Sequence, residues 1–250
     1  MTSAATKPHE GLFDGQRSGL LATMFLRVRA TQAEYFDAPE RTVDELRESY
    51  RWLGRVNRIT RFDWPFRTWI PRLLGEAACR ELTLLDLGAG DGSLGRALAA
   101  WALERGWKWT FTNVDLNPIL DDLNPGGTNV RASALDLPFP DGRFDVVIAT
   151  TMTHHLGDDA AVRVHFREAH RVARRAVLLC DLQRSPLLLG WLWLLLTAIR
   201  APREFKADGL ISVRRGWRAD EWRRIAASAG LPDARVWEEH GARVLLAAAK

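Results

Sequence analysis

Leu84–Gly95 reads LLDLGAGDGSLG. Apolar residues and one acid run straight into a glycine cluster. The lead-in Leu82–Leu87 has the pattern of a buried parallel strand. Ser93–Arg105 (SLGRALAAWALER) has that of the following helix, with Leu94, Leu98, Trp101 and Leu103 as its apolar face. Ser93 is the expected N-cap, its hydroxyl accepting one of the orphan amide protons of the first turn. The glycines then fall at a strand-to-helix turn, where a backbone without Cβ can approach a ligand. Such a turn opens a nucleotide-binding βαβ unit, or serves as a purely structural corner.

Two nucleotide signatures fail here. A phosphate-cradling GxxxxGK[ST] needs a lysine after the glycines, and none follows. A dinucleotide GxGxxG begun at Gly88 and Gly90 would place its third glycine at Ser93. What remains is an acid and three alternate glycines: Asp86, Gly88, Gly90 and Gly92, with Ala89 between the first two. This resembles the first motif of class I S-adenosylmethionine-dependent methyltransferases. A pyrophosphate suits a bare helix N-terminus. S-adenosylmethionine brings an ammonium and a sulfonium, and the carboxylates of Asp86 and Asp91 suit a cation better.

The 250-residue chain is long enough for a full core, and its 47% hydrophobic and 26% charged residues are ordinary for a globular protein. The pI is near 9.5 on a net charge of only +4, with scattered arginines. No nucleic-acid partner is expected. Arg171, Arg174 and Arg175, and Arg214, Arg215 and Arg218, read as solvated helix ends. Cys79 and Cys180 have no CxxC partner, so no metal or redox pair is expected. Cys180 reads as a small buried hydrophobe. The start MTSAATKPHEG lacks a basic-then-apolar leader pattern, and a reducing cytoplasm fits. Pro186–Ile199 (PLLLGWLWLLLTAI) is membrane-like in composition, yet as a helix it would extend about 21 Å against a hydrocarbon core of about 30 Å. It reads as core, as a hydrophobic lid or as a peripheral membrane contact.

Along the chain, residues 1–16 are polar and expected to be loose. Leu20, Leu21, Met24, Phe25 and Val28 recur at helical spacing. Glu40–Arg61 is a second helix, with a Thr42/Glu45 capping box and a stripe of Val43, Leu46, Tyr50, Leu53 and Val56. Trp64–Ala78 is a third. No strand is expected before residue 82, which sets a helical cap at 1–78 apart from a domain at 79–250. An insertion at about 186–212 interrupts that domain. Strands are expected at Leu82–Leu87, Trp109–Val114, Asn129–Ala132, Phe144–Ala149, Ala176–Asp181, Arg235–His240 and Arg243–Ala249. Helices are expected at 93–105, 117–123, 158–174 and 218–229. The fold class is α/β, a mostly parallel Rossmann-like sheet closing in an antiparallel hairpin around Gly241.

The motifs continue in order. NVDLNP puts Asp115 at the end of the second strand, where an acid can accept both ribose hydroxyls. Val130–Leu156 reads VRASALDLPFPDGRFDVVIATTMTHHL, and its ALDLPFPDGRFDVV is very similar to the UbiE-like, methyltransferase domain 11 branch of small-molecule methyltransferases. The resemblance covers roughly residues 50–250. Through VARRAVLLCDLQRSPL and GLISVRRGWRADEW it is similar to bacterial methyltransferases encoded near polyketide synthases. It implies S-adenosylmethionine as cofactor, Leu116 on the adenine face, and Thr150 at the methyl-bearing lip. One position departs: where most of the branch has an acid for the adenine amine, this chain has Ser133. That leaves Ser133 as a weaker acceptor, with Asp136 three residues on as a compensating acid or, as the favoured reading, the backbone of Ala134 and Leu135 as the main adenine contact.

Methyl transfer needs alignment and exclusion of water. A phenolic acceptor with a pKa of about 10 also needs a base, and His154 or His155 is the candidate. Each can equally serve only to shape the pocket. Asp181, at the end of the fifth strand, can orient a histidine or an acceptor hydroxyl, or cap a turn. His165 and His170 read as surface or packing residues. The expected acceptor is small, apolar and aromatic (a phenol, quinol or polyketide, methylated on oxygen or carbon), walled by Phe62, Trp64, Phe66, Trp69, Trp191 and Trp193. The competing readings are an RNA or protein methyltransferase, or a cofactor-binding scaffold without turnover. A monomer and a homodimer are equally compatible.

Overall fold

Seven strands and eight helices are ordered around one sheet in the computed structural model, which describes residues 26–38, 40–117 and 119–250. The helices are α1 (Val43–Thr60), α2 (Trp64–Leu74), α3 (Ser93–Leu103), α4 (Ile119–Leu123), α5 (Asp159–Val172), α6 (Pro186–Ala198), α7 (Arg203–Arg215) and α8 (Ala219–Ser228). The strands are β1 (Glu81–Leu87), β2 (Lys108–Asp115), β3 (Thr128–Arg131), β4 (Phe144–Thr150), β5 (Ala173–Leu182), β6 (Arg235–Glu239) and β7 (Arg243–Ala249). The sheet order is β3-β2-β1-β4-β5-β7-β6. The first five strands are mutually parallel, and β7 is antiparallel to both β5 and β6. All seven expected strands are present, and the order reverses at the β1/β4 junction, where such sheets open a crevice for ligands.

β1 and β4 are almost wholly buried, which requires cover on both faces. One face packs Val162, Phe166 and Ala169 of α5 with Trp222 and Ile225 of α8. The other packs Phe66 and Ile70 of α2 with Leu94, Leu98 and Trp101 of α3. So Phe66, with Phe62 and Trp69 packed against the same cluster, covers the sheet and does not wall an acceptor site as expected. Cys180 is buried in that cluster, where desolvation pushes its thiol up to about 12. A third cluster joins Trp52, Leu53 and Val56 of α1 to Leu188, Leu192 and Leu196 of α6 and Phe205 and Val213 of α7, at the ends of β5 and β7.

Local chemistry sets most boundaries. Thr42 and Glu45 form the expected capping box at the start of α1. At the start of α3, Gly92 takes the cap position in a left-handed conformation, and the Asp91 carboxylate accepts the Ser93 N–H at 3.0 Å. Asp91, not Ser93, therefore caps the helix. Leu103 is exposed and Ala102 is buried in its stead. α2 ends at Gly75 with a short 3-10 turn at Glu76–Cys79, because Gly75 has φ +81°. The inserted segment resolves into two helices. α7 was not expected, since Asp208 and Gly209 interrupt its apolar pattern. The expected helix through Leu20–Phe25 lies outside the described residues, and Val28 is exposed in a bend.

Several arginines read as solvated helix ends are structural. Arg171 donates to the carbonyls of Leu137 and Phe139 and pairs with Glu168 and Asp141, which ties down the loop between β3 and β4. Arg215 is buried, and Arg218 donates to the Leu26 carbonyl at 2.7 Å.

Candidate active site

Gly88, Gly90 and Gly92 all have positive φ, at 67°, 57° and 69°. All three are also held tightly, Gly92 by Asn124 Nδ2 at 2.6 Å from where its Cβ would sit. A Cβ at Gly88 would sit 2.2 Å from Met152 Cγ, and one at Gly90 would sit 2.7 Å from Tyr50 Cε1. The loop is pinned to β2: the Gly88 and Ala89 N–H groups donate to Val114 O at 2.8 and 3.1 Å, and Gly90 N–H donates to Asp115 Oδ2 at 2.8 Å. Asp115 Oδ1 accepts the Asn117 N–H at 2.9 Å. Leu116, next to it, is a large apolar side chain left 63% exposed.

Asp86 is buried, and its Oδ2 has no hydrogen-bond partner. Burial first, then the charges of Asp115 and Asp91, push its carboxyl well above the usual range. Three carboxylates thus meet around one glycine loop. They would repel a pyrophosphate and attract an ammonium or sulfonium. The orphaned oxygen and the Cβ-free loop fit S-adenosylmethionine. Ser133 Oγ accepts the Leu135 N–H at 3.1 Å, so one of the two backbone N–H groups expected at the adenine is engaged within the loop.

β4 ends at Thr150, and Thr151 turns the chain with φ +48°. A β-branched residue there costs ~1 kcal/mol. The turn it makes carries Met152 against Gly88 and starts the 3-10 turn Thr153–His155. Asp181 on β5 receives this turn. Its Oδ2 accepts the His154 backbone N–H at 2.6 Å, and its Oδ1 lies 2.7 Å from His154 Nδ1 and accepts the Leu182 N–H at 2.7 Å. Burial pushes Asp181 up. The charge and hydrogen bonds of His154 and the two backbone donors outweigh it, and the carboxyl ends below its ordinary value. An ionised Asp181 holds a proton on Nδ1 and leaves Nε2 as the ring nitrogen turned away from the pair.

Nε2 faces Glu34 Oε1 at 3.7 Å. The His155 ring lies beside His154, tilted by 37° with ring centroids 4.2 Å apart, and its Nδ1 is 3.0 Å from Asp37 Oδ2. Burial, with Asp37 adding to it against the pull of His155 and Arg215, pushes Glu34 up to about 7. Asp208 of α7 accepts the Tyr35 and Phe36 N–H groups at 2.8 and 2.9 Å and so places both acids. Arg29 donates to the carbonyls of His154 and Leu156, both at 2.7 Å, and Arg215 donates to those of His154 and His155 at 3.2 and 3.1 Å. Arg215 also lies 3.4 Å from Glu34 and 3.1 Å from Asp37.

Glu34, His154 and His155 each present a donor atom, all within 4.8 Å of one another, a set able to hold a divalent ion. The Arg215 guanidinium competes with such an ion for the same carboxylate. Glu34, Asp37, Arg29, Arg215 and Tyr50 were not singled out from sequence as site residues. Only Tyr50 carried a signal, as a polar member of the α1 stripe. His165 is fully buried beside Phe166, where desolvation lowers it to about 4. A cleft of about 230 Å³ between α1 and α7 is lined by Phe36, Trp52 and Phe205 and rimmed by Glu45, Glu48 and Glu204. Trp191 and Trp193 point outward and are about half exposed, so they do not form the expected acceptor wall.

The sheet order, the acid–glycine loop at its switch point and the acid ending β2 define a class I methyltransferase fold. Residues 85–180 match the family model described as "Methyltransferase domain". An uncharacterized methyltransferase of Mycobacterium sp. (strain JLS) is 34% identical over 80 residues, which are 30% of this chain and 29% of that protein. A candidate S-adenosylmethionine-dependent methyltransferase from Methanococcus maripaludis superposes with a TM-score of 0.60 at 12% identity, over 85% of this chain and 96% of that one. PigF, solved with SAH, superposes with a TM-score of 0.58 at 18% identity, over 96% of this chain and 69% of that one. At such identities these two structures bear on the fold.

Proposed function

We propose that this chain is an S-adenosylmethionine-dependent methyltransferase acting on a hydroxyl of a small, apolar, uncharged acceptor of phenolic type. The observation that carries this is the Asp181–His154 pair, set by one turn against the glycine loop through Met152 and Gly88.

The cofactor supplies an activated methyl group on a sulfonium. Gly88, Ala89 and Gly90 give it a close backbone, Asp86 Oδ2 an acceptor for its cationic end, Asp115 and Leu116 a ribose and adenine seat, Ala134 an amide contact, and Thr150 the lip. Asp181 holds His154 in the tautomer whose Nε2 can take the acceptor's proton. With an acceptor of pKa about 10, a base working near neutrality contributes roughly 10²–10⁴ in rate. Arg29 and Arg215 lock the histidine turn by its carbonyls, so the base does not reorient during transfer.

The test uses methyl-labelled S-adenosylmethionine, purified protein and a lysate of the producing cells, followed by separation of organic-extractable material, RNA and protein. Label in the organic fraction that disappears with Asp115→Ala supports the proposal. Label in RNA or protein overturns the acceptor class. No transfer together with no S-adenosylhomocysteine binding overturns the activity.

A further inference from the structure

α6 has no charged side chain between Pro186 and Ala198. Its inner side buries Leu188, Leu192 and Leu196 against α1 and α7. Its outer side should then be polar, as on a helix facing water. Instead Leu187, Trp191, Leu194 and Ala198 follow one another at i, i+4, i+7 and i+11, a single stripe on the outside. Leu187 is 80% exposed, Leu194 60% and Trp191 47%. Trp193 flanks the stripe at 51% exposure. No helix among the described residues is long and apolar enough to cross a membrane.

Basic groups border one side of this stripe. Lys206 Nζ sits 4.8 Å from the centre of the Trp193 ring and hydrogen-bonds Thr197. Arg200 and Arg203 are exposed just beyond the end of α6, beside Glu204, which shares the rim of the α1–α7 cleft with Glu45 and Glu48. Tryptophan with an adjacent cation is the composition of a membrane–water interface.

We propose that the outer face of α6 seats on a lipid surface with anionic headgroups. Leu187, Trp191 and Leu194 enter the acyl boundary, and Trp193, Arg200, Arg203 and Lys206 lie at the headgroups. A second copy of the chain fits less well. An interface on this stripe would gather both copies' cations, and a few side chains on one helix fall far short of the 20–30 residues a stable interface uses on each side. The inference goes beyond the methyl-transfer reading and needs no turnover. The α1–α7 cleft lies beside the same apolar cluster, since Phe36 and Trp52, which line it, pack against the cluster that holds the buried leucines of α6.

The test is co-sedimentation of the full chain with vesicles of phosphatidylcholine alone and of equimolar phosphatidylcholine and phosphatidylglycerol. The protein pellets with the mixed vesicles and dissociates as salt is raised. Arg203→Glu and Lys206→Glu each weaken binding at least about 5-fold. The pair Leu187→Asp and Leu194→Asp abolishes it, while the unfolding midpoint stays unchanged because both positions are exposed. Failure to pellet overturns the proposal, as does binding that survives the two aspartates. A concentration-dependent dimer without lipid that the same aspartates dissolve overturns it in favour of a self-contact.

Discussion

His154 Nδ1 lies 2.7 Å from Asp181 Oδ1, and the other oxygen of that carboxylate takes the His154 backbone N–H at 2.6 Å. One acid therefore fixes both the position of the residue and the tautomer of its ring. It leaves Nε2 as the group able to accept a proton. His155, whose ring nitrogen is held by an acid on the exposed side, is the weaker candidate.

Asp181→Asn keeps a hydrogen-bonding side chain but lets the imidazole carry its proton on Nε2. The turnover rate should fall about 10²–10⁴-fold, as for loss of a general base. S-adenosylhomocysteine affinity, measured by calorimetry, should stay within about 3-fold. His154→Gln should match it, and His155→Gln should cost far less. Equal losses in both histidine variants would place the base elsewhere.

Gly90→Ala meets two obstacles, a φ of +57° and the Tyr50 ring. Strain of ~1 kcal/mol from the left-handed backbone adds to displacement of α1. The variant should bind S-adenosylhomocysteine at least about 10-fold more weakly by the same calorimetry. The further change Tyr50→Ala should recover only the steric part.

Glu34 holds its proton to about pH 7 in the folded chain, against an ordinary value near 4.5. The folded state therefore binds more protons across that window, and this contribution to stability falls as pH rises. Denaturant unfolding of the wild type, minus that of Glu34→Gln, should decline by ~3 kcal/mol from pH 4.5 to 7 and then level off.

His165 has the opposite sign. Its folded value of about 4 lies below the unfolded 6.5, so the unfolded chain takes the proton first as pH drops. The wild type should lose ~3 kcal/mol relative to His165→Leu between pH 6.5 and pH 4. Unfolding midpoints at pH 4, 5, 6 and 7 measure the slope, and parallel curves would show that this imidazole is not kept neutral by burial.

Short-range chemistry explains why much was legible. β1, β4, β5 and β7 carry apolar runs between turn residues, and the hairpin at Gly241 follows from two strands with almost no chain between them. The glycine loop, Asp115 and the His154–His155 turn stand next to strand ends, where their position in the sheet follows from order alone. The errors have different sources. Ser93 lost the cap to Asp91, two residues earlier, because Gly92 turned the backbone left-handed. Arg215 looked like a solvated helix end because its partners, Glu34 and Asp37, are about 180 residues away. Trp191 and Trp193 looked like a pocket wall because an all-apolar helix does not declare which side it buries.

The amino-acid order by itself determined the α/β sheet, its closing hairpin and the acid–glycine cofactor loop, since hydrophobic period, turn residues and local spacing act over a few residues. Only the tertiary structure set His154, and not His155, against Asp181, because that pairing depends on contact across two strands. It also brought Glu34, Asp37 and Tyr50 from the N-terminal segments to the site and turned one face of α6 outward. Those juxtapositions arise from packing between distant segments, and no local pattern encodes them.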